Sequence, residues 1–311
     1  MSISRLVVGT RGSPLALAQA NIVRDRLVAA LGLDPAQATL QVIRTTGDMI
    51  QDRALAEAGG KGLFTKELDS ALLAGDIDLA VHSAKDLPTW LPDELVIAGY
   101  LEREDVRDVL IAPGARGGVA ALPAGAVVGT ASLRRAAQIR RLRPDVSTGL
   151  LRGNVHTRLA RLHEGRFDAT LLALAGLRRL GVEEPAATVL GLDEMLPAVG
   201  QGAIAITARA ADEAVREALA RIIHADTGYA LAAERAFLTV LDGSCRTPIA
   251  GLAQVDGDRL RLRGLLLSVD GQEWVESVRE GHVSDAAALG EDAGREIQRR
   301  ASPALLQQAG R

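Results

Sequence analysis

Apolar positions in the first hundred residues gather into short runs separated by longer amphipathic stretches, and the two kinds alternate. Leu6–Gly9, Thr39–Arg44 and Ile77–Val81 are too short for helices and rich in β-branched or apolar residues, so each predicts a strand. Pro14–Leu31 and Lys66–Leu73 carry apolar residues at helical spacing, with a polar, glycine-bearing loop before Gly60. Strand and helix in alternation predict a mostly parallel sheet covered by helices. The loops after strand ends, Gly9–Ser13 and His82–Pro88, would then line a binding crevice.

The pattern restarts near residue 105. Strands are expected at Val109–Ile111, Ala126–Gly129, Ser147–Leu151 and Asp168–Leu174, with helices at Leu133–Arg141, Val155–Leu162 and Leu174–Leu180. That is a second α/β domain. Pro197–Gly202 breaks it with a turn, and Ala203–Ala208 returns to a strand. The tail differs again: a helix at Gly228–Leu241 whose alanines allow close packing, then Ala250–Val255, Arg259–Ser268 and Glu273–Arg279 alternating like an antiparallel meander. Asp256-Gly257 and Asp270-Gly271 are hairpin turn signals. A helix from about Asp285 to Arg299 closes a small α+β domain, and no internal repeat is visible.

With 311 residues and 48% apolar content there is core enough for two or three domains. A net charge of −3 excludes a generally basic protein that coats nucleic acid, and 2% aromatics leaves few stacking platforms for single strands. The single cysteine excludes an intrachain disulfide. The N-terminus lacks a basic segment followed by an apolar one. No apolar run approaches the roughly 18 residues that span a bilayer. A soluble cytoplasmic protein is expected. His82, His156, His163, His224 and His282 show no metal-ligand spacing, so no metal is expected.

Basic residues number 36, yet only Lys61, Lys66 and Lys85 are lysine, in a stretch between Arg53 and Arg103 that holds no arginine. Against chance in an arginine-rich composition, the bias marks a region where a compact ammonium is expected to serve better than a planar guanidinium. Three segments follow predicted strands and put small or hydroxyl residues beside arginine at a helix start: Thr10-Arg11-Gly12-Ser13, Gly129-Thr130-Ala131-Ser132-Leu133-Arg134-Arg135 and Leu151-Arg152-Gly153-Asn154-Val155-His156-Thr157-Arg158. Helix N-termini and guanidinium forks both favour carboxylate or phosphate, so the set points to a site for several anions, against ordinary capped helices with surface arginines. Val81–Pro88 sets Lys85 beside Asp86 in a predicted crevice loop. That carboxylate could serve as acid, base or cation stabiliser, or belong to a surface pair of little energetic weight. A lone cysteine is most often a small buried hydrophobe, but Cys245 sits in a Gly/Ser turn next to Arg246, where a thiolate is favoured. No histidine pairs with it in sequence, so an alkylated or cofactor-bearing cysteine fits better than a protease dyad.

These residues carry a resemblance. TRGSPLALAQA, GGKGLFTKEL, AVHSAKDLP, GTASLRR, LRGNVHTRL, LALAGLRRLG, LPAVGQGA, AERAFL and GSCRTPIAG resemble, in order and spacing, the porphobilinogen deaminase family of tetrapyrrole synthesis. Val106 stands where a proline is usual, and His156 at a variable position. The resemblance implies an α/β fold with two periplasmic-binding-protein-like domains around a cleft and a small α+β C-terminal domain. The domains would be 1–101 with 203–222, 106–196, and 225–311. It implies a transferase that deaminates four porphobilinogen units, joins them head to tail on a dipyrromethane, and hydrolyses the product free as hydroxymethylbilane.

By the same resemblance, Cys245 bears the dipyrromethane through a thioether, and Asp86, with Lys85, is catalytic. Cofactor contacts fall to Lys85, Ser13, Thr130, Ser132, Arg134, Arg135, Arg158, Gly200 and Gln201. Substrate contacts fall to Arg11, Ser13, Arg152, Arg158, Arg179 and Gln201, while Lys61, Phe64 and Lys66 lie beside a mobile loop at about Asp48–Gly60. A monomer is implied, with porphobilinogen as partner and neither nucleic acid nor membrane. Two rivals explain less. A polyanion-binding protein leaves Cys245 and Asp86 without a role, and a phosphate-handling transferase lacks a G-x-x-x-x-G-K-[ST] loop.

Overall fold

The computed structural model describes residues 5–49, 62–114, 117–241 and 247–308. The chain opens with β1 (Leu6–Thr10), α1 (Pro14–Leu31), β2 (Ala38–Val42), α2 (Thr46–Met49), α3 (Lys66–Ala74), β3 (Leu79–Ser83) and β4 (Leu95–Tyr100). Next come β5 (Asp108–Ile111), β6 (Val127–Gly129), α4 (Leu133–Leu142), β7 (Ser147–Gly149), α5 (Val155–His163), β8 (Ala169–Ala173), α6 (Leu174–Leu180) and β9 (Ala187–Val189). The last third holds β10 (Ile204–Arg209), α7 (Glu213–Ala220), α8 (Ala225–Val240), β11 (Ile249–Asp256), β12 (Arg259–Leu267), β13 (Trp274–His282), α9 (Ala286–Arg300) and α10 (Pro303–Gln308). Among the described residues, one compact unit takes everything up to Glu104 together with Ala203–Gly228, and the other takes Asp105–Gly202 and Tyr229 onward.

In the first unit five strands lie in the order β2–β1–β3–β10–β4. β1 pairs parallel with β2 and β3, and β10 runs antiparallel to β3 and β4. α1 shows why the sequence folds this way locally. Ser13 caps it, its side chain accepting from the Ala16 amide at 3.3 Å, and Pro14 fills a first-turn position that needs no N–H. Its Ala20, Val23 and Leu27 then bury against Leu6, Val8, Leu79, Val81 and Ile206 of the sheet.

The second unit repeats the plan in the order β7–β6–β8–β5–β9, with β6 parallel to β7 and β8, and β5 antiparallel to β8 and β9. It also holds the antiparallel sheet β11–β12–β13, on which α9 packs. The fold is thus two α/β layers and a small C-terminal α+β part. The expected mostly parallel sheets are in fact mixed. In each, the fourth position is filled by a reversed strand: β10, supplied from a distant stretch of chain, in one unit, and β5, inserted between β8 and β9 although it precedes β6 in sequence, in the other. Local strand–helix alternation does not register either direction.

Five elements have no counterpart in the sequence pattern: α2, β4, β9, α7 and α10. β4 and β9 are edge strands, held by β10 and β5, without a buried–exposed alternation of their own. α7 does carry helical spacing in Val215, Ala218 and Leu219, with Asp212 as cap. Among the described residues no helix is long and apolar enough to cross a membrane.

Candidate active site

In the first unit the candidate site forms where β1 and β3 end. These strands are parallel neighbours, so the loops after them emerge side by side. β1 continues through Arg11 into α1, and β3 into a single 3-10 turn, Ala84–Asp86. The result is an Arg11 Nη1 to Asp86 Oδ2 separation of 3.6 Å, with side chains 18% and 33% exposed. The same guanidinium lies 4.1 Å from the centre of the Phe64 ring, an attractive cation–π distance. Arg11 is therefore fixed between a carboxylate and an aromatic face, while Asp86 keeps open lone pairs. Lys85 is exposed beside it, and Lys66 is exposed at the start of α3. Lys61 lies outside the described residues.

Beneath this surface His82 is buried, its Nε2 2.9 Å from the Thr207 hydroxyl of β10. Burial first, and the charge of Arg11 second, push its pKa down to about 3, so the imidazole is neutral at ordinary pH. Ser83 donates to Gln19 Oε1 at 3.0 Å, joining β3 to α1.

In the second unit Arg134 and Arg135 stand on the first turn of α4, each 5% exposed. Their Nη2 atoms donate at 2.7 Å to the two oxygens of Asp108, which is fully buried at the head of β5. Their Nη1 atoms donate to the carbonyls of Leu196 (2.6 Å) and Leu171 (2.8 Å). Gln201 Nε2 completes the shell, donating to Asp108 Oδ1 at 2.9 Å and to the Val106 carbonyl at 2.8 Å. Burial works to raise the Asp108 pKa, but the two guanidiniums outweigh it and hold the carboxyl well below the usual range. Two buried cations thus share one buried anion, and each arginine keeps a buried Nε without a hydrogen-bond partner.

Ser132 caps α4, accepting from the Arg135 amide at 3.4 Å, and Thr130 Oγ1 accepts from the Ser132 amide at 3.1 Å. Arg152 is 9% exposed just before α5; Arg158, on α5, donates from Nε to the Gly153 carbonyl at 2.8 Å. Arg179 Nη2 donates to the Gly202 carbonyl at 2.6 Å, next to Gln201. The Gly200 amide donates to Glu234 Oε2 at 2.7 Å, and the other oxygen of that fully buried carboxylate accepts from the Ala253 amide at 2.8 Å. Cys245 lies outside the described residues. Among those described, no cluster of three or more His, Cys, Asp or Glu is set to hold a metal ion.

A family profile described as "Porphobilinogen deaminase, dipyromethane cofactor binding domain" matches residues 6–217, and "Porphobilinogen deaminase, C-terminal domain" matches 229–299. The chain belongs to the porphobilinogen deaminase family. The porphobilinogen deaminase of Nitrobacter winogradskyi is 58% identical over 294 residues, 94% of this chain and 93% of that protein. That of Paracoccus denitrificans is 53% identical, covering 94% of each. Among solved structures, an ABC transporter/periplasmic binding protein from Brucella ovis with glutathione bound is similar at a TM-score of 0.42 and 16% identity, over 77% of this chain and 69% of that one.

The donor set of the second unit fits the dipyrromethane of porphobilinogen deaminases. That group is rich in carboxylates, and the unpartnered Nε atoms of Arg134 and Arg135, with one buried anion for two cations, leave the site short of negative charge. No role read from the sequence falls on Asp108, Gln138, Glu234 or His82, although Glu234 lies in AERAFL and His82 in AVHSAKDLP. Their signals were faint: Asp108 is an acid at the head of an apolar strand, and Glu234 an acid within the alanine-rich face of α8. Gln138 both accepts from the Leu196 amide (2.8 Å) and donates to its carbonyl (3.0 Å), a closed pair that only tertiary contact reveals.

Proposed function

We propose that this chain is a hydroxymethylbilane synthase. It deaminates porphobilinogen, joins four units head to tail on a dipyrromethane bound through a thioether to Cys245, and releases hydroxymethylbilane by hydrolysis. The observation that carries the reading is the pairing of Arg11 with a partly open Asp86 in a chain that matches the family over residues 6–217 and 229–299. When bound, the dipyrromethane supplies the anchored primer with its nucleophilic pyrrole carbon.

The chain's own side chains position, neutralise and move protons. Asp86 accepts from pyrrole N–H groups and stabilises the positive charge that develops as ammonia departs, with Lys85 beside it as donor. Arg11, held by Phe64, serves a substrate carboxylate. Arg152, Arg158 and Arg179 serve other carboxylates, with Ser13, Thr130 and Ser132 adding hydroxyl donors. Arg134 and Arg135 act on the cofactor chiefly as a fixed positive field, because their forks are engaged by Asp108 and their Nε atoms are buried. Gln201 and Gly200 hold the 197–202 segment in place through Asp108 and Glu234 and belong with the cofactor contacts. Phe64, against Arg11, and Lys66 belong to the edge of the site, and Lys61 is assigned beside them by the family resemblance alone. The division into 1–101 with 203–222, 106–196 and 225–311, a monomeric state, a cytoplasmic location, and no part for nucleic acid or membrane belong to the same reading.

The test is to supply porphobilinogen to the purified chain and measure ammonia and hydroxymethylbilane together. Release of four ammonia molecules per product is the expected result. Binding of porphobilinogen with no ammonia released would favour a polyanion-binding protein instead.

A further inference from the structure

α4 carries Arg134 and Arg135 on its first turn, and the rest of the helix is gripped by a different part of the chain. Ala137 is fully buried among Leu196, Ala250, Leu252, Leu265 and Leu267. One turn on, Arg140 donates from Nη1 to the Val269 carbonyl at 2.8 Å and from Nη2 to Thr148 Oγ1 at 2.6 Å. The Arg141 guanidinium lies 4.1 Å from the centre of the Trp274 ring. Between these contacts sits Gly271, with φ +74. A Cβ there would lie 2.4 Å from the Ala137 carbonyl oxygen and 2.8 Å from the Arg141 nitrogen. The turn at 268–274, between β12 and β13, therefore presses bare backbone against bare backbone of α4.

The turn is itself stiff. The Gly271 amide donates to the Ser268 carbonyl at 2.9 Å, the Glu273 amide to Ser268 Oγ at 3.0 Å, and the Gln272 amide to Asp270 Oδ1 at 3.1 Å. A main-chain contact on a rigid helix yields only by moving the helix, since neither side has a flexible side chain to turn away. Arg134 lies three residues before Ala137, and its bonds of 2.6 and 2.7 Å tolerate displacements of only a few tenths of an ångström.

We infer that the 268–274 turn, through Gly271, Val269 and Trp274, is a positioning device that sets α4, and with it Arg134 and Arg135, in the geometry that receives the dipyrromethane. The turn joins β12 and β13 of the three-stranded sheet that also holds β11, so the device ties that sheet to the helix that carries the two arginines. Gly271, Arg140 and Trp274 are positioning residues and touch no reacting atom.

The inference rests on the function proposed above, and one experiment separates the two. Gly257, in the β11–β12 turn, has φ +59, and a Cβ there meets nothing within 4 Å. Gly257→Ala and Gly271→Ala thus impose similar left-handed backbone strain, and only the second pushes on α4. Intact mass reads the ratio of cofactor-loaded to unloaded chain. The expected result is wild type and Gly257→Ala loaded alike, with the ratio in Gly271→Ala lower on the order of tenfold, the scale of losing charge-assisted hydrogen bonds. If Gly271→Ala yields no soluble protein, Arg140→Leu takes its place, and Arg140→Lys, which can keep one of the two bonds, should recover part of the loading. Gly271→Ala or Arg140→Leu loaded as fully as Gly257→Ala overturns the inference. Wild-type chain without the added mass overturns the proposed function, and this inference with it.

Discussion

The Arg11 guanidinium lies 3.6 Å from the Asp86 carboxylate, near enough to attract it and too far to occupy it with a close hydrogen bond. Asp86 is one-third exposed and retains acceptor capacity for pyrrole N–H groups. Asp86→Asn keeps the shape and removes the charge. It should fold, carry the cofactor, and lose at least about a hundredfold in turnover with a smaller change in substrate binding. Asp86→Glu should retain part of the activity. Steady-state kinetics on cofactor-loaded protein decide it, and near-normal turnover in Asp86→Asn would make the residue an ordinary neighbour of Lys85.

Removing Asp108 strands two buried guanidiniums that it now bridges. Breaking a buried pair on one side costs about 3–5 kcal/mol, so Asp108→Ala should shift the urea midpoint strongly or abolish folding. Asp193 also pairs with an arginine, Arg263, but its side chain is 97% exposed. Asp193→Ala should change stability by less than about 1 kcal/mol. Equal effects at the two positions would contradict the account of the Asp108 centre.

Two buried titratable groups of the first unit act on stability in opposite directions. Burial and Arg11 depress the His82 pKa from 6.5 to about 3, so the stability it contributes is present above pH 6.5 and is lost as pH falls toward 3. Burial raises the Asp69 pKa from 3.8 to about 6, so its contribution is present below 3.8 and is lost as pH rises through 6. At pH 7, Asp69→Asn should therefore be more stable than wild type, by ~1–2 kcal/mol, and the gain should vanish near pH 4. Thermal midpoints across this range check both signs. An Asp69→Asn protein less stable than wild type at pH 7 would refute the second.

Four arginines are expected to recognise carboxylates: Arg11, Arg152 and Arg158 at or near helix starts, and Arg179 in the last turn of α6. Arg11→Leu, Arg152→Leu, Arg158→Leu and Arg179→Leu each remove a donor from carboxylate recognition and should weaken porphobilinogen handling by on the order of tenfold or more. Arg299→Leu, in the last turn of α9, should do neither that nor impair cofactor loading. Indistinguishable kinetics for the two groups would mean that the arginines reflect composition rather than recognition.

Much of this was legible in the residues. Pro14–Leu31 is a helix with the expected bounds because its start is written locally, in the Ser13 cap and Pro14, and its end in Gly32, whose φ is 66. The loop positions of Arg11 and Asp86 followed from strand ends, and the structure brings the two together. The inward turn of Arg134 and Arg135 was not legible. Their partner Asp108 is 26 residues away, on a strand that enters its sheet reversed, and arginine at a helix start reads the same whether its fork faces a ligand or a buried carboxylate. The grip of the 268–274 turn on α4 was equally hidden. Asp270-Gly271 announces a hairpin, but nothing nearby announces what the hairpin touches.

The most direct test of the central claim is the intact mass of the purified chain, measured beside Cys245→Ala. The account predicts that wild type exceeds its sequence mass by two linked pyrrole units, a dipyrromethane, and that Cys245→Ala has the bare sequence mass. Wild-type protein of unmodified mass that is nonetheless fully active with porphobilinogen would contradict it.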